Sequence, residues 1–348
     1  MALCRILLTP LNARDEAAGY SARGLKRLTG TGRASPQLPF TRNEFISELP
    51  KAQAGMSISG YQPKLQMIVE KGVFNVVEHQ GEYILKPSPA EFPFLAENEH
   101  ATMTLMARLG FDVPPHGLVR FTKAQPGDPD EYAFVIRRYD RDEQGNALHQ
   151  EQLDAAMDIG EKYGKTAADG KQYVSYERLA TFLLANVNDN LAFKIDMFRR
   201  IAYAYLLGNN DMHLRNFGLI LPPIGKPELA PVYDFVSVAP YPPVFNSGFL
   251  ALPLLRCEEG DGELAPGMKT QYGEYPGKDF LVLGEAMGLA KPVVLRLFAQ
   301  MQSEAKTVEA VYRASFMPAG DSERVLQCYQ QRLKRMMNVD EAEMAGGT

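Results

Sequence analysis

Asn209-Asn-Asp-Met-His-Leu-Arg-Asn-Phe-Gly-Leu-Ile220 leads, through a connection carrying Pro and Gly, to Pro231-Val-Tyr-Asp-Phe-Val-Ser237. Asp211 and Asn216 stand five positions apart, and Asp234 closes a short apolar run just before Phe235. A carboxylate and an amide at D-x-x-x-x-N spacing, with a second carboxylate downstream, are what phosphoryl transfer requires. One carboxylate orients the accepting hydroxyl, and the other oxygens ligate a hard cation such as Mg²⁺. A lone Asp or Asn in a loop is more often a turn former or a cap. Both halves together, each beside a strand-like run, favour the phosphoryl-transfer reading. Asp211 is then the candidate catalytic residue, and Asn216 and Asp234 are candidate metal ligands.

Upstream, Leu191–Leu207 places Leu191, Ile195, Phe198, Ile201, Ala202 and Tyr205 at helical spacing, and Gly208 ends the helix just before Asn209. Ser175 reads as the N-cap of a helix over Tyr176–Val187, and a further helix is expected over Gln150–Ile159. Tyr132–Arg141 reads as a buried strand running into a polar segment, after a Pro- and Gly-bearing loop over 122–131.

Glu82-Tyr-Ile-Leu-Lys-Pro87 is a second strand, with Lys86 at its end. A kinase carries its phosphate-binding lysine on such a strand, although a surface lysine is the ordinary alternative. The helix expected over Leu95–Leu109, stopped by Gly110, offers Glu97 or Glu99 as a partner for Lys86. Favourable placement of acids at a helix N-terminus accounts for them equally well.

Gly55-Met-Ser-Ile-Ser-Gly-Tyr-Gln-Pro-Lys-Leu65 precedes two strand-like runs, Leu65–Val69 and Val73–Val77. Its glycines and hydroxyls suit a loop that closes over phosphates. The G-x-x-x-x-G-K-[ST] spacing fails, so it is no P-loop. Residues 1–40 carry Gly19, Gly24, Gly30, Gly32, Pro36 and Pro39 and read as an extended surface arm. Thr41 with Glu44 forms a capping box at the start of the next helix. After Asp234 a Pro- and Gly-rich region runs to about Pro276. Helices near Pro292–Phe316 and Ser322–Met337 follow, then an acidic tail over 338–348 expected to be disordered.

The 348 residues, 45% hydrophobic and 23% charged, fit one large globular domain or two lobes. A net charge of −5 gives no general attraction to nucleic acid or to an anionic membrane. Cys4, Cys257 and Cys328 are dispersed, which argues against a disulfide framework or zinc site and for a reducing cytoplasm. Leu3–Leu11, interrupted by Arg5 and closed by Pro10, is too short for a signal core or membrane span.

Six stretches in this order resemble the HipA-like serine/threonine kinases of bacterial toxin–antitoxin operons. They are Ser57-Ile-Ser-Gly-Tyr-Gln-Pro-Lys64, Tyr83-Ile-Leu-Lys-Pro87, Val135-Ile-Arg-Arg-Tyr-Asp-Arg141, His149-Gln-Glu-Gln-Leu153, Asn210-Asp-Met-His-Leu-Arg-Asn-Phe217 and Pro231-Val-Tyr-Asp-Phe235. The resemblance covers roughly residues 40 to 337. It implies a bilobal, protein-kinase-like α+β fold, with a β-rich N-lobe over 41–139 and a mainly helical C-lobe over 140–337.

It further implies ATP and Mg²⁺ as cofactors. Ser59, Gly60, Tyr61, Gln62, Pro63 and Lys64 would lie over the phosphates with Lys86 upon them. The backbone of Arg137, Arg138 and Tyr139 would meet adenine, and His213, Leu214, Arg215, Asn216, Tyr233 and Asp234 would complete the nucleotide site. Ser57 matches the serine that family members autophosphorylate, with Ser59 as a second candidate. A phosphate on this loop would be repelled by ATP or would dock on cations such as His213 and Arg215.

Long members carry a further N-terminal subdomain of roughly a hundred residues, a typical small-domain size. The chain therefore resembles the short form, HipT of HipBST systems. That implies a small HipS-like protein supplying the subdomain and a HipB-like DNA-binding antitoxin as partners. It also implies an aminoacyl-tRNA synthetase as substrate, tryptophanyl rather than glutamyl. Neither nucleic acid nor membrane is expected to contact the chain directly. The rival readings are a small-molecule or lipid kinase of the same plan and a binding-only pseudokinase. The second would have lost one of Lys86, Asp211, Asn216 or Asp234, and all four are present.

Overall fold

The computed structural model describes residues 2–47, 64–142, 144–222, 224–270 and 273–339. Ser57, Ser59, Gly60, Tyr61, Gln62 and Pro63 of the expected phosphate loop lie outside the described residues, as do residues 340–348 of the tail. Two units are distinguished. The first comprises 1–148 with 231–233 and 310–319, and the second comprises 149–230, 234–309 and 320–348.

Strands Leu65–Glu70 (β1), Val73–Val76 (β2), Tyr83–Pro87 (β3), His116–Arg120 (β4) and Tyr132–Arg137 (β5) form an antiparallel sheet in the first unit. Its strand order is β2-β1-β3-β5-β4. Side chains alternate between the two faces of a strand. Leu65 and Met67, Tyr83 and Leu85, and Ala133 and Val135 accordingly share one buried face, and Lys86 and Phe134 sit opposite each other in register on the other. Helix Leu95–Arg108 (α3) packs on β3, β4 and β5.

The face lined by Leu65, Tyr83 and Val135 is covered by the N-terminal segment, and here the expected surface arm is corrected. Cys4, Ile6, Leu11, Tyr20, Leu25, Leu28 and Leu38 are buried in the same cluster as β1 and β3. Ala22–Thr29 (α1) is a helix whose N-cap Ser21 accepts from Gly24 N–H and whose C-cap Gly30 is left-handed at φ 79°. The glycines and prolines that suggested an arm punctuate a folded layer, because an uncovered sheet face is costlier than ordering this segment. The capping box of Arg42–Ser47 (α2) forms as expected. Glu44 Oε2 accepts from Thr41 N–H at 2.6 Å, and Glu44 N–H donates to Thr41 Oγ1 at 3.3 Å.

In the second unit, Tyr176–Asn186 (α5) starts at Ser175, whose hydroxyl accepts from Arg178 N–H at 3.1 Å. Leu191–Leu206 (α6) is buried from Met197 onward. The helix expected over 150–159 is replaced by a strand, His149–Gln152 (β6), and one turn of helix, Leu153–Ala156 (α4). β6 pairs with Gly218–Leu221 (β7), which pairs in turn with Glu228–Leu229 (β8). Gln150-Glu-Gln152 has little period of its own, so the ladder offered by β7 decides its state.

Gly277–Ala286 (α7) is a helix that the loop-rich reading did not anticipate beyond Pro276. A Cβ at its Gly284 would lie 2.5 Å from Val294, so glycine permits close approach of Lys291–Arg313 (α8). Ala319–Met336 (α9) follows. Among the described residues no helix is long and apolar enough to cross a membrane.

Candidate functional site

The catalytic-loop candidate lies in the second unit. Gly208, at φ 69°, turns the chain out of α6, and its Cβ-free backbone sits against Cys328 and Phe245. Asn209 Oδ1 then accepts from Asp211 N–H at 3.2 Å, an Asx-type turn. Asn210 Nδ2 donates to the carbonyls of Val244 at 2.7 Å and Gly248 at 3.1 Å. The fully buried Tyr176 ties the loop to α5, its hydroxyl donating to Met212 C=O at 2.6 Å.

Held in this way, the Asp211 side chain remains 48% exposed. Tyr163 Oη donates to Asp211 Oδ1 at 3.1 Å, and His213 Nε2 stands 3.9 Å from the same oxygen. Asn216 Nδ2 donates to Asp211 C=O at 2.8 Å, which orients the amide and leaves Oδ1 as the atom that a cation would meet. Asp234 adopts a left-handed backbone at φ 53°, which Asp tolerates better than most residues, and Phe235 beside it is fully buried.

Burial holds His213 below its ordinary pKa, reinforced by Lys162, and the charges of Asp211 and Asp234 only partly offset this. Its Nδ1 is buried without a hydrogen-bond partner among the described residues. Arg215 Nε is paired with Asp154 Oδ2 at 2.8 Å. These are the two residues that the sequence offered to a phosphoserine. Leu214 is core, with no accessible side chain, and its N–H donates to Lys162 C=O at 2.9 Å.

An amide oxygen and a carboxylate are a donor set that Mg²⁺ accepts. Among the described residues no group of three His, Cys, Asp or Glu could hold a metal. A hard cation here would take its remaining ligands from phosphate and water, as Mg²⁺ commonly does.

In the first unit, Lys86 Nζ is 2.6 Å from Glu99 Oε1, with side-chain exposures of 6% and 1%. Of the two glutamates the sequence offered, Glu99 is the partner. Glu97, two residues away and about 200° round the helix, lies by Ser88 instead, and burial raises its pKa to about 7. Arg137 N–H donates to Pro115 C=O at 2.8 Å and Arg138 N–H to Glu82 C=O at 2.7 Å. Those two N–H donors are engaged within the unit. The Arg138 guanidinium grips Asp140 through bonds of 2.9 and 2.5 Å. Tyr139 and Tyr233 are brought together, ring centroids 5.0 Å apart, and Lys64 immediately precedes β1.

Tyr163 was not legible as a site residue. It lies 48 positions before Asp211, in a loop with no spacing signal.

The β-rich unit with its buried lysine–glutamate pair and the helical unit with its Asp-x-x-x-x-Asn loop define an α+β, kinase-like fold. The HipA-like C-terminal domain family matches residues 56–308, and the chain belongs to that family. A Haemophilus influenzae protein bearing a provisional kinase name is 54% identical over 345 residues, covering 99% of this chain and all of that protein. The serine/threonine-protein kinase toxin HipA of Shewanella oneidensis is 29% identical over 201 residues, 53% of this chain and 44% of that protein. The solved complex of Shewanella oneidensis HipA, HipB and operator DNA contains a chain of similar fold. Its TM-score is 0.54 at 22% identity, over 81% of this chain and 64% of that one.

Proposed function

We propose that the chain is an ATP- and Mg²⁺-dependent serine/threonine protein kinase, acting in the cytoplasm as the toxin of a type II toxin–antitoxin system. The observation that carries this reading is the Asp211 loop. It presents a half-exposed carboxylate restrained through one oxygen, beside an asparagine whose amide is oriented by the loop's own backbone. In this reading Asp211 accepts the hydrogen bond of the attacking hydroxyl and aligns it for in-line transfer. Lys86, oriented by Glu99, contacts the ATP phosphates. Asn216 and Asp234 would hold Mg²⁺, which when bound neutralises charge on the phosphate oxygens.

The substrate we assign is an aminoacyl-tRNA synthetase, tryptophanyl before glutamyl, so that phosphorylation arrests translation. Ser57 and Ser59 are the proposed autophosphorylation sites. A HipB-like antitoxin is the proposed partner, supported by the complex in which the related HipA is found. A small HipS-like protein is the second proposed partner.

The test is incubation of purified enzyme with Mg²⁺, γ-labelled ATP and a panel of synthetases. Labelled serine or threonine on one synthetase is the expected result, with label abolished in Asp211→Asn at unchanged melting temperature. Normal labelling by Asp211→Asn, or label entering only a small molecule, refutes the reading.

A further inference from the structure

We propose that Tyr163 is a positioning residue for phosphoryl transfer, its hydroxyl holding one oxygen of Asp211 so that the other is aimed at the acceptor. This rests on the reading of Asp211 as the catalytic carboxylate. Oδ1 of Asp211 receives the Tyr163 hydroxyl at 3.1 Å, while His213 Nε2, at 3.9 Å, is beyond hydrogen-bond range. A carboxylate on a half-exposed side chain otherwise rotates about its last bond and offers either oxygen to solvent. With Oδ1 engaged, Oδ2 becomes the acceptor for the substrate hydroxyl, and its direction is fixed before substrate arrives. Such pre-orientation is a large component of catalysis in which the protein does little covalent chemistry.

The tyrosine is itself held from several sides. The Glu161 carboxylate accepts from the N–H groups of Tyr163 at 2.9 Å and Lys165 at 2.8 Å, closing the turn that bears the ring. Gln172 Nε2 donates to Tyr163 C=O at 2.7 Å and to Ala251 C=O at 2.9 Å. Gly164, at φ 68°, packs where a Cβ would meet Val174 at 2.6 Å. Leu214 N–H donates to Lys162 C=O, so the turn and the Asp211 loop are joined directly through backbone.

The ring lies edge-on to His213, centroids 5.4 Å apart, with the Lys162 ammonium 4.7 Å from the ring centroid. Two tyrosines thus serve one loop differently. Tyr176 bonds a backbone carbonyl from full burial, whereas Tyr163 bonds the side-chain carboxylate of Asp211 itself.

The experiment compares Tyr163→Phe, Tyr163→Leu and Asp211→Asn in steady-state hydrolysis of Mg·ATP, with water as the acceptor, alongside thermal melts. Positioning predicts that Phe, which keeps the ring contacts, loses kcat on the order of tenfold to a hundredfold. Its KM for ATP and its melting temperature stay near wild type, and Leu is no worse in kcat than Phe. If Phe keeps wild-type kcat while Leu is impaired, the ring is only packing and the proposal is overturned. If Asp211→Asn retains full hydrolysis, the catalytic reading of Asp211 fails, and this inference with it. If Asp211→Asn is inactive and Tyr163→Phe is not, only the positioning role fails.

Discussion

Removing either partner of the Lys86–Glu99 pair should cost far more than removing any surface ion pair, and the two costs should respond to pH in opposite directions. The 2.6 Å pair has side-chain exposures of 6% and 1%, whereas Arg42–Glu131, at 2.8 Å, has 31% and 46%. Exposed pairs contribute about 0–1 kcal/mol. A buried charge that loses its counter-ion can instead neutralise itself, and that sets a ceiling on the penalty. In Glu99→Leu at pH 7, deprotonating a lysine of ordinary pKa near 10.4 costs about 4.6 kcal/mol. In Lys86→Met, protonating a glutamate of ordinary pKa near 4.3 costs about 3.7 kcal/mol.

Both ceilings fall in the range of roughly 3–5 kcal/mol seen when one member of a buried pair is removed. The Glu99→Leu deficit should shrink as pH rises towards 10, where the lysine neutralises readily. The Lys86→Met deficit should shrink as pH falls towards 4. The double variant Lys86→Met/Glu99→Leu should recover most of the loss, because neither charge remains to be desolvated. Urea unfolding of all four proteins at pH 5, 7 and 9 reads these differences directly. Single-variant losses below about 1 kcal/mol, or deficits that ignore pH, would refute the reasoning.

Two further predictions follow from individual side chains. Asp234→Asn should fold normally, since Asn accepts φ 53° as readily as Asp does, yet should bind Mg·ATP roughly tenfold more weakly or worse. Calorimetric titration with Mg²⁺ and with EDTA checks it, and equal affinities for wild type and variant in Mg²⁺ would count against Asp234 as a ligand. Glu97, raised by burial from about 4.5 to about 7, binds its proton more tightly folded than unfolded, so its favourable contribution is full below pH 4.5 and lost as pH rises through 7. Glu97→Gln should therefore gain stability relative to wild type across that window, by on the order of 3 kcal/mol in all; a flat difference between pH 4.5 and 8 in denaturant melts would contradict it.

How much was legible in the chain depended on how far each group lies from its partner. The capping box of Thr41 and Glu44, the Ser175 N-cap and the Gly208 stop are settled within three or four residues, and all formed as the residues dictate. The D-x-x-x-x-N loop is equally local, because Asn216 bonds the carbonyl of Asp211 itself. Lys86 and Glu99 lie at intermediate range. Strand and helix could be read separately, but the choice between Glu97 and Glu99 needed the angle at which α3 meets the sheet.

Beyond that distance local reading fails for identifiable reasons. Residues 1–40 look like loop because the partner of their apolar positions is a sheet face built later in the chain. β6 looks helical because β7, some seventy residues on, is what makes it a strand. Tyr163 carries no signal at all, since its bond to Asp211 is created by a turn clamped through Gln172, Glu161 and Leu214. The catalytic candidates were thus legible where the chemistry fixes residue type and spacing together. The groups that would hold them in place are visible only once the fold has brought distant segments side by side. The left-handed Asp234 and the buried Nδ1 of His213, partnerless among the described residues, mark the same boundary from the structural side. Each departs from the local rule for its residue type, and both lie in the unit that bears Asp211.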